Sequence, residues 1–209
     1  MVNIIKGKEP IYEVENYDVV LMGISTHNKL MGNFQGKMAV KYPFLEEIID
    51  NTPYGDLRKL GKRITIDDKG TPVISLMFIC KYPTRKENFI DYDALEKCLR
   101  TANAEFKGKK VIMTLAGSTR FDGRGDRKKC LNIIKKCTND LKVDIFDYEQ
   151  ISIKEEISRQ KKYFTNLKKK YKDNKEMQEK IKEMAREMRM KTFLPFYGEN
   201  KEEDEILNF

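Results

Sequence analysis

Residues 111–130 read VIMTLAGSTRFDGRGDRKKC, and the fold follows from them. Four of the first five residues are apolar and Thr114 is β-branched, which is typical of a buried strand. Small residues and Gly123 continue the stretch as a loop, after which Asp126 is placed to cap a helix. Such a strand, loop and helix can receive phosphate, because backbone N–H groups and the positive helix end attract anions. The stretch lacks GxGxxG and GxxxxGK[ST], so an ordinary strand-to-helix turn stays open as the alternative.

The remaining apolar runs and turn signals predict a regular alternation of strands with helices. Strands are expected at residues 2–6, with an edge extension at 11–14, and at 19–22, 63–67, 72–80 and 143–148. Helices are expected at residues 37–41, 44–50 and 90–106. This alternation favours a largely parallel or mixed sheet covered by helices on both faces, which is a three-layer α/β/α architecture.

Polar segments rich in small residues follow three of the predicted strands. They cover residues 25–36, 81–88 and 116–126. In sheets of this class, ligands bind beyond the carboxyl ends of the strands. We therefore expect the three segments to converge on one binding site.

The composition limits the classes of protein that the chain can represent. Its net charge of +8 suits nucleic acid, nucleotides or acidic partners, and equally a solvated lysine-rich surface. The four cysteines form no CxxC pair and His27 is the single histidine, so we predict no metal site and no cofactor. The thiols are expected to be reduced and buried, in an intracellular, cytoplasmic protein. No window approaches the about 20 apolar residues of a membrane span.

The composition changes after residue 150. Residues 159–191 contain 13 Lys or Arg and 5 Asp or Glu. Apolar residues recur at helical spacing on both sides of Asp173 and Asn174, which predicts a helical hairpin followed by an apolar patch and an acidic tail. One interpretation is a solvated helical pair packed on the main domain. The other is a nucleic-acid-binding surface through residues 159–191.

Four segments of the chain, taken together, match the order of motifs in a known family. They are DVVLMGIST at residues 18–26, MGNFQGK at 31–37, Tyr42-Pro43 and LAGSTRFDG at 115–123. Together they resemble the macrodomain family, in which a strand headed by Asp enters an ADP-ribose loop, and a glycine loop precedes a YP helix. The resemblance covers residues 2–150. It implies a macrodomain-like ADP-ribose-binding domain at 1–150 and a basic helical extension with an acidic tail at 151–209.

The resemblance also implies which residues bind the ligand. The diphosphate would lie between the loops at residues 32–37 and 117–123, and Asp18 would contact the adenine amino group. The family's ribose-binding asparagines correspond to Met22 and Ser25 here. The implied ligand-binding residues are Asp18, Ser25, Thr26, Asn28, Gly32, Asn33, Gly36, Gly117, Ser118, Thr119, Arg120, Phe121 and Gly123.

Within the family, the chain most resembles the branch that removes ADP-ribose from DNA bases or acidic side chains. In that branch, the lysine of a PTK motif attacks the anomeric carbon of the distal ribose and an aspartate assists. The motif here is Pro83-Thr84-Arg85. An arginine does not act as an amine nucleophile, so either Lys86 takes the role or the chain does not use this chemistry. Asp126, or alternatively Asp122, would be the carboxylate.

Three functions therefore stay open. The first is an enzyme that hydrolyses the distal-ribose linkage of ADP-ribosyl groups or of ADP-ribose 1''-phosphate, with Asp126 and Lys86 as the catalytic candidates. The second is a non-catalytic ADP-ribose-binding module, a reader or a sponge. The third is a nucleic-acid-associated interaction protein that acts through the basic hairpin.

Overall fold

The structure is a computed structural model of the 209-residue chain, which divides into two compact units. It describes residues 1–30, 33–81, 89–118, 125–147 and 153–197, with the backbone alone at 33, 153–157 and 190–197. The first unit consists of Met1–Leu30 and Glu46–Glu149, and the second of Met31–Leu45 and Gln150–Phe209. Residues 31–45, which the sequence assigns to the first domain, thus belong to the second unit.

Six strands and six helices make up the described part of the chain. The strands are β1 Val2–Lys6, β2 Val19–Ser25, β3 Arg63–Ile66, β4 Val73–Cys80, β5 Lys110–Thr114 and β6 Lys142–Asp147. The helices are α1 Asn33–Lys41, α2 Phe44–Asp50, α3 Tyr92–Glu105, α4 Arg127–Cys137, α5 Ile153–Lys170 and α6 Lys175–Tyr197. None of these helices is both long enough and apolar enough to span a membrane.

All six strands lie in one sheet of the first unit, in the order β1-β6-β5-β2-β4-β3. Neighbouring strands are parallel, except that β3 runs antiparallel to β4. The mixed sheet and the alternation of strands with helices confirm the predicted α/β class. The carboxyl ends of β1, β6, β5, β2 and β4 consequently share one edge of the sheet.

The central strands are buried on both faces, as their unbroken apolar runs predict. Every residue of β2 is buried, and so is every residue of β4 after Val73. Alternate side chains on one face of the sheet, such as Leu21 and Met113, form a core with the buried sides of α3 and α4. Leu99 and Ile134 supply the helical part of that core and are fully buried.

Aspartates begin the two helices that cover this face. The Asp91 carboxylate accepts a hydrogen bond from the Ala94 N–H at 2.9 Å, and the Asp126 carboxylate accepts one from the Lys129 N–H at 2.7 Å. Each bond satisfies a backbone donor that has no partner within the helix. Asp126 is thus the helix cap that the sequence predicts.

The four cysteines are free thiols in the hydrophobic interior, which confirms their predicted burial. The Cys98 thiol donates a hydrogen bond to the Lys62 carbonyl at 3.4 Å. Burial raises the pKa of Cys98 to about 12, because the thiolate form would lose its solvation.

Helix α1 begins at Asn33 and not at the predicted residue 37. Two other predicted boundaries are wrong for identifiable physical reasons. Residues 11–14 form two 3-10 turns, Pro10–Tyr12 and Val14–Asn16, and not an edge strand. Proline has no N–H for a strand ladder and its fixed φ favours the start of a turn. Strand β2 continues past Gly23 because its pairing with β4 extends to Ser25, and a Cβ at position 23 would lie 2.5 Å from Ile79 Cδ1.

The second unit is helical. Helices α1 and α5 both pack against α6. The Lys41 ammonium of α1 donates a hydrogen bond to the Tyr163 hydroxyl of α5 at 3.3 Å. Asn174 caps α6 by accepting the Met177 N–H at 3.0 Å, so the turn of the predicted hairpin lies at Asp173 and Asn174, where the sequence expects it.

Candidate functional site

The hydrogen-bonded pairing of β2 with β5 stops before β2 ends, and the space beyond the carboxyl ends of these two strands is here called the crevice. Their hydrogen-bonded register covers only Val19–Leu21 with Val111–Met113, whereas β2 stays paired with β4 as far as Ser25. The chain runs from β2 to the β3–β4 side and then returns to the other side of β2 as β5, so this is the point where the strand order reverses. Crevices at such a reversal bind ligands in α/β sheets.

Buried hydroxyl groups lie at the carboxyl end of β2. Ser25 and Thr26 end the strand and are almost completely buried. The Ser25 hydroxyl oxygen accepts the His27 N–H at 3.3 Å, and the Thr26 N–H donates to the Cys80 carbonyl at 2.9 Å. These bonds fix the backbone where it leaves the sheet, next to the end of β4.

A buried lysine anchors the loop after β2. The Lys59 ammonium donates hydrogen bonds to the Asn28 side-chain oxygen and, at 3.1 Å, to the Thr52 hydroxyl, and lies 4.7 Å from the centre of the Phe78 ring. Asn28 has φ 51°, in the left-handed region, and its side-chain amide donates to the Thr52 carbonyl at 2.6 Å. Burial lowers the pKa of Lys59 and the nearby Asp56 charge opposes this. Asn28 therefore holds the loop, with its side chain engaged within the protein.

A tight turn at Gly117 forms the β5 side of the crevice. The Ser118 N–H and hydroxyl both donate to the Leu115 carbonyl, at 3.2 and 2.7 Å. Gly117, the third residue of this turn, has φ +81°, which glycine adopts without strain. A Cβ at Gly117 would lie 1.8 Å from Ile90 Cδ1, so the turn admits only glycine.

The start of α4 lies directly against this turn. The Gly125 N–H donates to the Gly117 carbonyl at 2.7 Å, and the Asp126 N–H donates to the Tyr92 hydroxyl at 2.8 Å. The Lys129 ammonium lies 3.8 Å from the centre of the Tyr92 ring. A turn with positive φ, a helix start and a cation therefore meet at one point. The helix start and the cation attract an anion, whereas the Asp126 carboxylate at the same place opposes one.

A lysine and a carboxylate complete the described part of the edge. Lys81 follows β4 directly, and its ammonium lies 3.4 Å from the Asp91 carboxylate. A bridge between Cys80 and Ile90 brings the two segments together, and Ile90 in turn packs on Gly117. The Lys81 side chain is 53% exposed, so its amine is accessible from the solvent side of the edge.

The structure brings five of the predicted site residues to this carboxyl edge, namely Ser25, Thr26, Gly117, Ser118 and Asp126. It does not bring Asp18 there. Asp18 precedes β2, its carboxylate accepts the Lys110 N–H at 2.7 Å, and about 23 Å of strand separate it from Ser25. Asn33 and Gly36 lie in α1, in the second unit. Asn28 lies in the loop after β2 with its side chain engaged by Thr52 and Lys59. The remaining predicted residues, Gly32, Lys86, Thr119, Arg120, Phe121 and Gly123, lie outside the described residues.

Three charged residues at or near this edge are absent from the sequence-based candidates. Lys81 could have been found from its position directly after a buried strand. Glu9 is buried three residues after β1 ends, and an acidic residue beside Pro10 gave no sequence signal. Lys59 could not have been found, because its partners Asn28 and Thr52 are distant in the sequence.

Of the comparisons with known proteins, only the one with solved structures supports the fold assignment. No family model matches the chain, and no curated protein matches it. Among solved structures, a protein of unknown function from Bacteroides thetaiotaomicron is similar with a TM-score of 0.57 and 17% identity, over 70% of this chain and 98% of that one.

Two further solved structures are similar to this chain. The macrodomain of Thermus aquaticus DarG has a TM-score of 0.52 and 11% identity, over 72% of this chain and 99% of that one. DarTG of Thermosipho africanus, solved in complex with ADP-ribose, has a TM-score of 0.53 and 10% identity, over 72% of this chain and 43% of that one. At these identities the similarity concerns the fold.

Proposed function

We propose that this chain, which has the macrodomain fold, binds ADP-ribose or an ADP-ribosyl group in the crevice beyond β2 and β5 and hydrolyses the linkage at the distal ribose. The observation that carries the proposal is the glycine turn at Gly117 packed against the start of α4, at the point where the strand order reverses. The ADP-ribose in the structurally similar DarTG complex supports the choice of ligand.

The diphosphate is proposed to lie against the turn and the first residues of α4. Backbone N–H groups at a helix start carry partial positive charge, so they bind a diphosphate without a dedicated cation. The Ser118 hydroxyl and N–H both donate to the Leu115 carbonyl, so in this geometry Ser118 shapes the turn and does not donate to the diphosphate. The distal ribose would then extend toward the edge that carries Lys81 and Asp91.

Titration calorimetry of the full-length protein with ADP-ribose is expected to give micromolar binding that AMP does not reproduce. AMP has the adenosine but lacks the second phosphate and the distal ribose, which are the groups that the turn and the carboxyl edge would contact. An absence of binding at millimolar ADP-ribose would contradict the proposal and leave a likeness of fold only.

Replacing Asp126 with serine is expected to reduce turnover of an ADP-ribosylated substrate by about 100-fold or more, while ADP-ribose affinity stays within a few-fold. Serine caps a helix as well as aspartate does, so the variant removes the carboxylate and keeps α4. The alanine variant loses the carboxylate and also the helix cap, which costs about 1 kcal/mol of stability. Comparing the two variants shows how much of the lost turnover comes from the start of α4. Unchanged turnover in the serine variant would exclude Asp126 from the mechanism.

A binding module without catalysis is the second candidate function. The observation that favours it is the structural engagement of Asp126, whose carboxylate accepts the Lys129 N–H and caps α4. An arginine at position 85, where the related branch has its lysine, points in the same direction. This candidate predicts tight ADP-ribose binding and no product over hours.

A further inference from the structure

Helix α5 carries a strong local excess of positive charge. Residues 158–172 contain seven Lys or Arg and no Asp or Glu. The exposed positions of α5 include Lys161, Lys162, Thr165, Asn166 and Lys169. At 100° per residue these five side chains fall within about 140° of the helix circumference, so they form one surface, here called the basic face.

The basic face differs from the charged surface of α6 in the same unit. On α6, the Lys180 ammonium lies 2.7 Å from the Glu176 carboxylate and the Lys182 ammonium 2.6 Å from the Glu179 carboxylate. Within the part of the chain that the structure describes, no carboxylate lies at ion-pair distance from Lys161, Lys162 or Lys169. The positive charge of α6 is therefore balanced locally, and that of the basic face is not.

Helix stability does not account for the basic face. Lysines in the last turn, including Lys168–Lys170, complement the negative end of the helix dipole. Lys161 and Lys162 lie about two turns before the helix ends, where that effect has faded. Their clustering lacks the i,i+4 glutamates that stabilise lysine-rich helices, so the arrangement favours an external anion.

The groove beside the basic face continues it. Thr165, Lys168, Lys169, Lys172 and Gln178 line a cavity of about 390 Å³. The Gln178 amide donates to the Lys168 and Tyr171 carbonyls, both at 2.8 Å, which fixes the end of α5 against α6. The groove thus has a rigid floor with lysines around it.

The chemistry of the exposed side chains indicates which anion fits. The basic face has no exposed apolar or aromatic residue, so it lacks both the lipid-inserting side of an interfacial helix and the anchors of a protein interface. Lysine, threonine and asparagine are the side chains that contact nucleic-acid phosphates. Lys161 and Lys169 are separated by about 12 Å along the helix, which spans several phosphates of one strand.

We propose that the basic face of α5 binds the phosphate backbone of nucleic acid without sequence preference. The basic face belongs to the second unit, and the proposal does not depend on ADP-ribose binding. Because the contacts are to phosphates, the affinity is expected to fall steeply as the salt concentration rises.

The test uses the full-length chain, a fluorescein-labelled DNA duplex and two charge-matched variants, each lacking three exposed lysines. K161Q/K162Q/K169Q alters the basic face, and K175Q/K180Q/K182Q alters α6. The α5 variant is expected to bind at least about tenfold more weakly, and its slope of log affinity against log salt to be shallower by about 2.7. The α6 variant should stay within about threefold of the wild type, because two of its lysines are already paired.

Circular dichroism and ADP-ribose titration of both variants separate this proposal from loss of folding and from failure of the proposed function. An equal loss in the two variants would attribute binding to net charge alone and overturn the proposal. Wild-type duplex binding in the α5 variant would also overturn it. So would an α5 variant that loses binding to phosphatidylserine vesicles and keeps its affinity for DNA.

Discussion

Replacing Gly117 with alanine is expected to lower the free energy of unfolding by about 2–5 kcal/mol. The left-handed backbone at φ +81° costs an alanine about 1–2 kcal/mol. The new Cβ would also lie 1.8 Å from Ile90 Cδ1, and relieving such overpacking costs about 1–3 kcal/mol more. Urea unfolding followed by circular dichroism measures the sum.

Gly108→Ala is the matched control for the backbone. Gly108 has φ +80°, almost the same as Gly117, but no heavy atom lies within 4 Å of a Cβ built there. Its replacement should therefore cost only the backbone strain of about 1–2 kcal/mol. The difference between the two variants measures the clash at Ile90.

Ile90→Val provides a second control, because it removes the Cδ1 atom that an alanine at position 117 would strike. In the Ile90→Val background, Gly117→Ala is expected to cost no more than Gly108→Ala does. If Gly117→Ala costs the same with isoleucine and with valine at position 90, the close packing described here is not what demands glycine.

The same variants test the role of the turn in binding. If the turn and the start of α4 hold the diphosphate, Gly117→Ala should weaken ADP-ribose binding under conditions where the protein is still folded. Gly108→Ala, in the loop after α3, should leave it unchanged. Loss of stability without any loss of affinity would make Gly117 a residue of the fold alone.

Much of the sheet could be predicted from the sequence because its signals are local. Strands β2, β4 and β5 are unbroken apolar runs, and burial on both faces requires that composition. Asp126 was predictable as a helix cap because aspartate is a common capping residue and apolar residues at helical spacing follow within a few positions. The glycine requirement at residue 117 was only partly accessible, since its strongest cause is a contact with Ile90.

The finer organisation of the edge depends on contacts between distant segments. The Asn28 side chain looked like a ligand group in a loop after a strand, and the structure engages it with Thr52 and Lys59. Asp18 shares a strand with the site loop but lies at the strand's other end. The sequence does not show that Asn28 contacts Thr52 and Lys59 or that Asp18 lies far from the site. Both facts depend on which segments the fold brings together.

The grouping of residues 31–45 with the carboxyl-terminal helices was equally inaccessible. Helix α1 follows β2 in the chain, so its position in the sequence suggests the first domain. Its packing partner α6 lies more than 130 residues away, and the apolar positions of both helices are compatible with many partners.

Replacing Lys81 with arginine is expected to reduce hydrolysis of the ADP-ribosyl linkage by about 1,000-fold or more, with ADP-ribose affinity within about threefold. The resemblance places Arg85 at the position of the lysine nucleophile and leaves Lys86 as its candidate, and Lys81, which follows β4 directly, is a further lysine at this edge. Arginine keeps the positive charge beside Asp91, so the ion pair at this edge survives. It does not lose its proton, however, and so cannot attack the anomeric carbon.

Lys86→Arg is the matched comparison, because it makes the same change in the same connection between β4 and α3. If Lys81 is the nucleophile, the Lys86 variant keeps wild-type turnover. If Lys86 is the nucleophile, Lys86→Arg loses turnover and Lys81→Arg keeps it. Wild-type turnover in both variants would exclude a lysine nucleophile, and hydrolysis would then require direct attack by water.

Covalent trapping separates a nucleophile from a lysine that only holds substrate. Attack by the neutral amine displaces the leaving group from the anomeric carbon and joins the ribose to nitrogen, and opening of the sugar ring gives an imine that water later hydrolyses. Cyanoborohydride reduces that imine, so mass spectrometry of a trapped reaction should place one ADP-ribosyl adduct on Lys81. The Asp91 carboxylate lies 3.4 Å from the Lys81 ammonium and also caps α3. An adduct on Lys86 would assign the chemistry to that residue.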